Sequence, residues 1–250
     1  MTTVKPWVNN AIISSYETLE ETIPAQWLPH LDDVRATSGV MIGKLRRYVC
    51  GAYGCVFRTL DPKVVMKVTA DDTEAEFAAS LAKTLVVPIC VEYVTVLRTD
   101  IRDPQDGSAV YFLWRESAEY VGQFETIVGK KAARLVLNQH EIAQATYSEI
   151  VGWIDPAHEG RTYESPIIDQ GARDTVGWLI DRWLRACHEM AQVDELRFLA
   201  QGLIQVYQQQ RIFFGDLHPG NLGMVIRADG HPNGEQWVIT DPGHIAVLDL

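Results

Sequence analysis

Residues 214–223 read FGDLHPGNLG, and the meaning of this stretch governs how the rest of the chain is read. Asp216 is followed five residues later by Asn221, on a Pro/Gly loop between a helical segment and a strand. A carboxylate there can accept the proton of an attacking hydroxyl while the carboxamide ligates a hard cation, so the pair suits phosphoryl transfer. Taken alone, the stretch also fits an Asx-rich turn whose side chains cap their own backbone. Asp241, in VITDPG, ends an apolar strand 25 residues after Asp216 and is followed by a turn. Asp-Pro-Gly by itself is a common turn. The order Asp216, Asn221, strand-terminal Asp241 is more specific, because Asp241 could complete a metal site beside Asn221.

Working outward, helical periodicity dominates from Ala118 to about Gln210, in TVGWLIDRWLRACHEMA and ELRFLAQGLIQVYQQQ, interrupted by the loop DPAHEGRTYESP. The last helix runs into RIFFGDLHPGNLGMVI, and a hairpin over RADGHPNGEQ then leads to WVITDPGHIAVLDL. Upstream, YVCGAYGCVFRTL, the turn Asp61-Pro62-Lys63 and VVMKV form a glycine-bearing hairpin. A helix is predicted over TADDTEAEFAASLAKTL, with Asp71, Asp72 or Thr73 as N-cap and Phe77, Ala78, Leu81 and Leu85 on one face. VVPICVEYVTVLRT and AVYFLWRE read as two further strands joined by IRDPQDGS. Residues 1–45 read as short helices broken at Pro6, Pro24 and Pro29, without visible chemistry. The expectation is an α+β fold in two lobes: a helical extension over 1–45, a small antiparallel-sheet lobe over 46–116, and a mainly helical lobe over 117–250.

The 250 residues, 47% of them hydrophobic, can build a real core. A net charge of −11 argues against a broad nucleic-acid surface; an acidic exterior suits a basic protein partner, although solubility alone is the commoner reason for such a charge. Cys50, Cys55, Cys90 and Cys187 show no Cys-x-x-Cys pair or zinc-ligand spacing, and read as free packing thiols in a reducing compartment. The N-terminus, MTTVKPWVNN, lacks a basic stretch followed by a long apolar run, and no segment approaches the ~20 apolar residues of a membrane span. A cytoplasmic protein is expected.

Taken together, these segments resemble the protein-kinase-like superfamily, whose catalytic loop carries His-Arg-Asp then Asn and whose metal motif is Asp-Phe-Gly. Phe214 stands where His is usual, Gly215 where Arg is usual, His218 where Lys is common, and Pro242 where Phe is usual. The form Gly-Asp-Leu-His-Pro-Gly-Asn looks more like aminoglycoside and choline kinases. With Thr-Asp-Pro it also resembles the compact host-takeover serine/threonine kinases of T7-like phages. The resemblance implies Asp216 as catalytic base, with Asn221 and Asp241 as ligands of Mg²⁺ or Mn²⁺. Gly51, Gly54 and Val56 match the later part of the glycine-rich phosphate loop, with Val49 replacing its first glycine. Lys67 in VVMK takes the register of the phosphate-binding lysine of ATP, although a solvated strand lysine is the commoner fate of any one Lys. Glu74 shares the helical face of Phe77, Ala78 and Leu81 and is the expected partner of Lys67; Glu76 is expected to point to water with Ser80 and Lys83. His218 is expected to touch phosphate or to stiffen its loop. YFLWRE, 111–116, would be the fifth strand leading to an adenine-binding hinge, and Trp114, Trp153, Trp178 and Trp183 read most simply as core or lobe-packing aromatics, with substrate contact as the minority reading.

Seven residues follow Gly243, so the helical lobe reads as truncated and without the usual peptide platform; residues 118–210 or a partner would then hold the acceptor. Three functions compete. One is a compact serine/threonine kinase of phage or mobile-element origin acting on host proteins. Another is a small-molecule phosphotransferase of aminoglycoside or choline type. The last is a kinase-like scaffold that inhibits a host protein by binding it. Neither the phosphoacceptor nor the oligomeric state can be read from these residues.

Overall fold

The computed structural model describes residues 46–50, 54–58, 63–102, 107, 109–120, 124–152, 170–226 and 232–248. The extension over 1–45, Gly51, the turn at Asp61-Pro62, Trp153 and the loop DPAHEGRTYESP lie outside them. The chain divides into two compact units, residues 1–83, 92–117 and 226–231 in one, and 84–91, 118–225 and 232–250 in the other. The architecture is α+β, with a sheet-based unit and a mainly helical one.

The first unit holds β1 (Arg46–Cys50), β2 (Gly54–Arg58), β3 (Val64–Thr69), β4 (Tyr93–Arg102) and β5 (Ala109–Glu116), hydrogen-bonded in the order β1-β2-β3-β5-β4. Every ladder in it is antiparallel. β3 and β5 are buried along nearly their whole length, which is why VVMKVT and AVYFLWRE read as apolar runs instead of alternating. Helix α1 (Asp72–Ala79) connects β3 to β4. Of the three candidate caps the structure uses Asp71, whose side chain accepts from the Thr73 and Glu74 N–H groups at 2.9 and 3.2 Å. α1 buries Phe77 edge-on against Tyr93, ring centroids 6.4 Å apart.

α1 is shorter than the periodicity suggests. Ser80 is the C-cap, its N–H (3.1 Å) and Oγ (2.7 Å) both on the Glu76 carbonyl, and Leu81 and Leu85 lie beyond the helix. β4 likewise begins at Tyr93 and not within VVPIC. That segment belongs to the second unit: Val86 N–H donates to Gln210 Oε1 (2.9 Å), Gln210 Nε2 donates to Thr84 O (2.7 Å), and Ile89 and Val91 exchange backbone bonds with Ile239.

The second unit contains α2 (Phe124–Gly152), α3 (Gln170–Met190) and α4 (Arg197–Gln210). α2 is broken at Gly129, whose φ of 80° and ψ of 158° suit a residue without Cβ. Three-residue strands escaped the helical reading of this region: β6 (Ala118–Tyr120) sits in a sheet of order β6-β8-β9 with β8 (Leu222–Ile226) and β9 (Pro232–Ile239). β7 (Ile212–Phe214) pairs antiparallel with β10 (Ile245–Val247). β9 starts at Pro232, so PNGEQ, expected in the turn, is strand.

Trp183 of α3 is fully buried and meets Tyr207 of α4 and Phe213 of β7 edge-on, at 5.8 and 5.0 Å between centroids. These rings fix the end of α4, where Arg211 adopts a left-handed conformation (φ 59°) and sends the chain into β7 and the Asp216 loop. Trp114 is buried in the first unit, whereas Trp178 is 56% exposed, with the Arg182 guanidinium 5.0 Å above its ring. Trp178 is therefore a surface residue; its position on α3 falls outside the apolar stripe of Val176, Leu179, Ile180 and Trp183.

Candidate active site

In the first unit, Lys67 on the third strand stands opposite Val56 of β2 and Leu113 of β5. Its side chain is buried, and Nζ lies 2.6 Å from Glu74 Oε2. The Tyr93 hydroxyl donates to the other carboxylate oxygen at 3.2 Å. A Glu three residues past the Asp71 cap necessarily falls in the first turn of α1, and the position three before Phe77 turns it inward. Glu76 is half-buried rather than solvent-facing, and its Oε2 is buried without a hydrogen-bond partner. Gly54 pairs with Thr69, so the described end of the glycine-bearing segment, Gly54 to Val56, runs alongside the strand that carries Lys67.

In the second unit, the Asp216 loop begins where β7 ends. Gly215 N–H donates to His244 O at 2.8 Å. A Cβ at Gly215 would lie 2.9 Å from that same oxygen and 3.0 Å from Tyr147 Cβ. This close approach leaves no room for a side chain at Gly215. After Leu217, His218 caps a short turn over Pro219–Asn221: its Nδ1 accepts the Gly220 N–H at 2.9 Å, and its carbonyl accepts the Asn221 N–H. His218 thus stiffens the loop from within.

Asn221 is buried, and its Nδ2 donates to Asp216 O at 2.8 Å and to Asp216 Oδ2 at 3.2 Å. These bonds fix the amide's orientation and turn Oδ1 to the opposite side. The Asn221 carbonyl accepts the Thr240 N–H at 2.8 Å, which ties the end of β9 to the loop and brings the following residue, Asp241, beside it. Gly243 returns under Asp216: a Cβ there would stand 3.3 Å from Asp216 Oδ2. Asp216, Asn221 and Asp241 are therefore gathered at one place in this unit. Lys67 and Glu74 are gathered in the first.

Asn221 Oδ1 and the Asp241 carboxylate offer two hard oxygen donors. No group of three His, Cys, Asp or Glu side chains suited to a metal occurs among the described residues. Two protein donors fit Mg²⁺, which keeps waters and phosphate oxygens in its shell, better than a cation needing an all-protein cage.

Sequence reading missed the residues that surround Asp216 from α2. His140, Gln144 and Tyr147 follow one another at helical spacings of four and three. Gln144 Nε2 donates to Asp216 Oδ1 at 3.1 Å. His140 Nδ1 lies 3.7 Å from the same oxygen, makes no hydrogen bond, and its ring meets that of His218 edge-on at 5.3 Å. Burial lowers the His140 imidazole from its ordinary value, partly opposed by the Asp216 carboxylate. Tyr147 stacks on His244 at 4.5 Å. Within NQHEIAQATY the only signal was a row of polar side chains along an otherwise buried helical stripe.

No protein-family model matches the chain, and no curated protein matches it. Among solved structures, the chain is similar to the GDP and kanamycin complex of APH(2")-IIia (14% identity, 88% of this chain and 74% of that one, TM-score 0.38). It is similar to spectinomycin phosphotransferase APH(9)-Ia in complex with ADP and spectinomycin (14% identity, 90% and 70%, TM-score 0.41). A third is the GDP complex of wild-type aminoglycoside 2'-phosphotransferase-IIIa (14% identity, 86% and 74%, TM-score 0.33). At TM-scores of 0.33–0.41 the likeness carries no argument about activity, which must rest on the chain's own residues.

Proposed function

We propose that the chain is an ATP-dependent phosphotransferase acting on an alcohol hydroxyl. The observation that carries this reading is the Asp216 carboxylate, held by a separate donor on each oxygen, Gln144 on Oδ1 and Asn221 on Oδ2. A carboxylate so oriented can take the proton of an acceptor hydroxyl as its oxygen bonds to the γ-phosphorus and the bond from that phosphorus to ADP breaks. Lys67, positioned by Glu74, supplies an ammonium for the α- and β-phosphates, with Gly54 and Val56 on the neighbouring strand and Gly51 and His218 as further candidate phosphate contacts. Asn221 and Asp241 would hold Mg²⁺, which when bound neutralises phosphate charge.

On this reading the acceptor is a serine or threonine of a host protein modified by a phage-type kinase. The loop Gly-Asp-Leu-His-Pro-Gly-Asn favours a second reading, a small-molecule acceptor of the aminoglycoside or choline class. Pure protein is incubated with γ-labelled ATP and Mg²⁺, with and without cell lysate. Labelled proteins support the first acceptor and labelled small molecules the second. If neither is labelled, the phosphotransferase reading is refuted, and capture of a host protein without transfer would favour the scaffold.

A further inference from the structure

Gln144 Nε2 lies within hydrogen-bond distance of three atoms: the acceptors Asp216 Oδ1 at 3.1 Å and Gly215 O at 3.2 Å, and His244 Nδ1 at 3.0 Å, whose donor or acceptor role is set by its tautomer. An amide nitrogen has two hydrogens, so the three are shared. Two of them belong to the loop that carries Asp216, and one belongs to the loop that follows Asp241. The second loop is held on the same helix by the stacking of Tyr147 on His244, a residue with a left-handed backbone (φ 53°). One side chain of α2 therefore joins the base to the strand end that bears a candidate metal ligand.

The chemical character of the tie matters as much as its place. A proton acceptor must be oriented and yet remain basic. A lysine or arginine on Oδ1 would orient the carboxylate but stabilise its charged form strongly; a neutral amide orients it with a weaker electrostatic hold. The imidazoles nearest to Oδ1, His140 Nδ1 at 3.7 Å and His218 Nε2 at 3.9 Å, are both beyond hydrogen-bond distance. Gln144 is the donor that remains.

On the phosphotransferase reading, we infer that Gln144 is a positioning residue for the reaction: it acts through Asp216, setting the direction of Oδ1, and touches neither nucleotide nor acceptor. Gln144→Met keeps the length of the side chain and removes the donor; Gln144→Glu keeps the shape and places a second carboxylate against Asp216. The first should lower kcat by about 10- to 100-fold, the scale of a misplaced reacting group. The KM and calorimetric Kd for ATP should stay within about threefold, because the loss falls on the chemical step. Gln144→Glu should be at least as slow. In an Asp216→Asn background, Gln144→Met should change kcat by less than about threefold, since residues that act as a unit are not additive. Thermal unfolding of each variant checks that the fold is retained.

A second readout does not depend on turnover. In ¹⁵N-labelled full-length protein, the Gln144 side-chain amide resonances, assigned by their loss in Gln144→Met, should shift in Asp216→Ala. Parental kcat in Gln144→Met, additive losses in the double variant, or unmoved amide resonances would each overturn the inference. If the parent transfers no phosphate at all, the phosphotransferase reading fails by itself, and the tie between Gln144 and Asp216 stands or falls on the amide resonances.

Discussion

Replacing Lys67 by Met removes the ammonium that faces a carboxylate with no solvent exposure and leaves the apolar stem in place. Glu74 would keep the Tyr93 hydroxyl at 3.2 Å but lose the cation at 2.6 Å. Breaking a buried pair from one side costs about 3–5 kcal/mol, because the remaining charge stays buried and uncompensated. A ceiling comes from chemistry: an ordinary glutamate, with a pKa near ~4.3, becomes neutral at pH 7 at a cost of about 4 kcal/mol. The expected loss is therefore roughly 3–4 kcal/mol at pH 7, or a Tm lowered by about 6–16 °C for a chain of this size. Lys67→Met/Glu74→Leu should recover most of it, since an apolar pair leaves no orphaned charge. Urea and thermal unfolding, followed by circular dichroism on the full chain, measure both. A single variant within about 1 kcal/mol of the parent, or a double variant as unstable as the single, would refute this account of the pair.

Glu74→Gln should impair phosphate transfer more than Glu76→Gln, since Lys67 pairs with Glu74; the reverse ranking in a labelled-ATP assay would contradict the role given to Glu74. Gly215→Ala should lower transfer by tenfold or more, about 1.4 kcal/mol of barrier, because its methyl would drive against the His244 carbonyl and Tyr147; wild-type kinetics would show that the loop yields freely. Gln139 is fully buried on α2 with neither side-chain polar atom hydrogen-bonded. Gln139→Met should therefore stabilise the chain by about 1–3 kcal/mol in urea unfolding, and a loss of stability would contradict the burial penalty.

What was legible in the sequence was local. Asp216, Asn221 and Asp241 sit on Pro/Gly-punctuated loops whose spacing brings them together through bonds only a few residues long, apart from the Thr240 N–H to Asn221 carbonyl bond. The proximity of Glu74 to Lys67 follows from a first-turn position read against the apolar face of one helix. Gln144 was not legible: a polar residue on an amphipathic helix looks solvated until the loop that meets it, 71 to 100 residues on, is in place. Three-residue strands such as β6, β7 and β10 are too short to show a period, and they exist because partners elsewhere in the chain complete them. Trp178 was misread because aromatic character alone does not say which face of α3 it occupies.

The central claim is that Asp216 accepts the proton in phosphate transfer. Its most direct test is transfer from γ-labelled ATP by Asp216→Asn beside the parent, with ATP affinity measured on the same samples in Mg²⁺. The account predicts that the Asp216→Asn variant retains ATP affinity within a few-fold, since Asp216 is not assigned to nucleotide or metal, while the rate falls by roughly two to four orders of magnitude. Transfer at the parental rate by Asp216→Asn would contradict it.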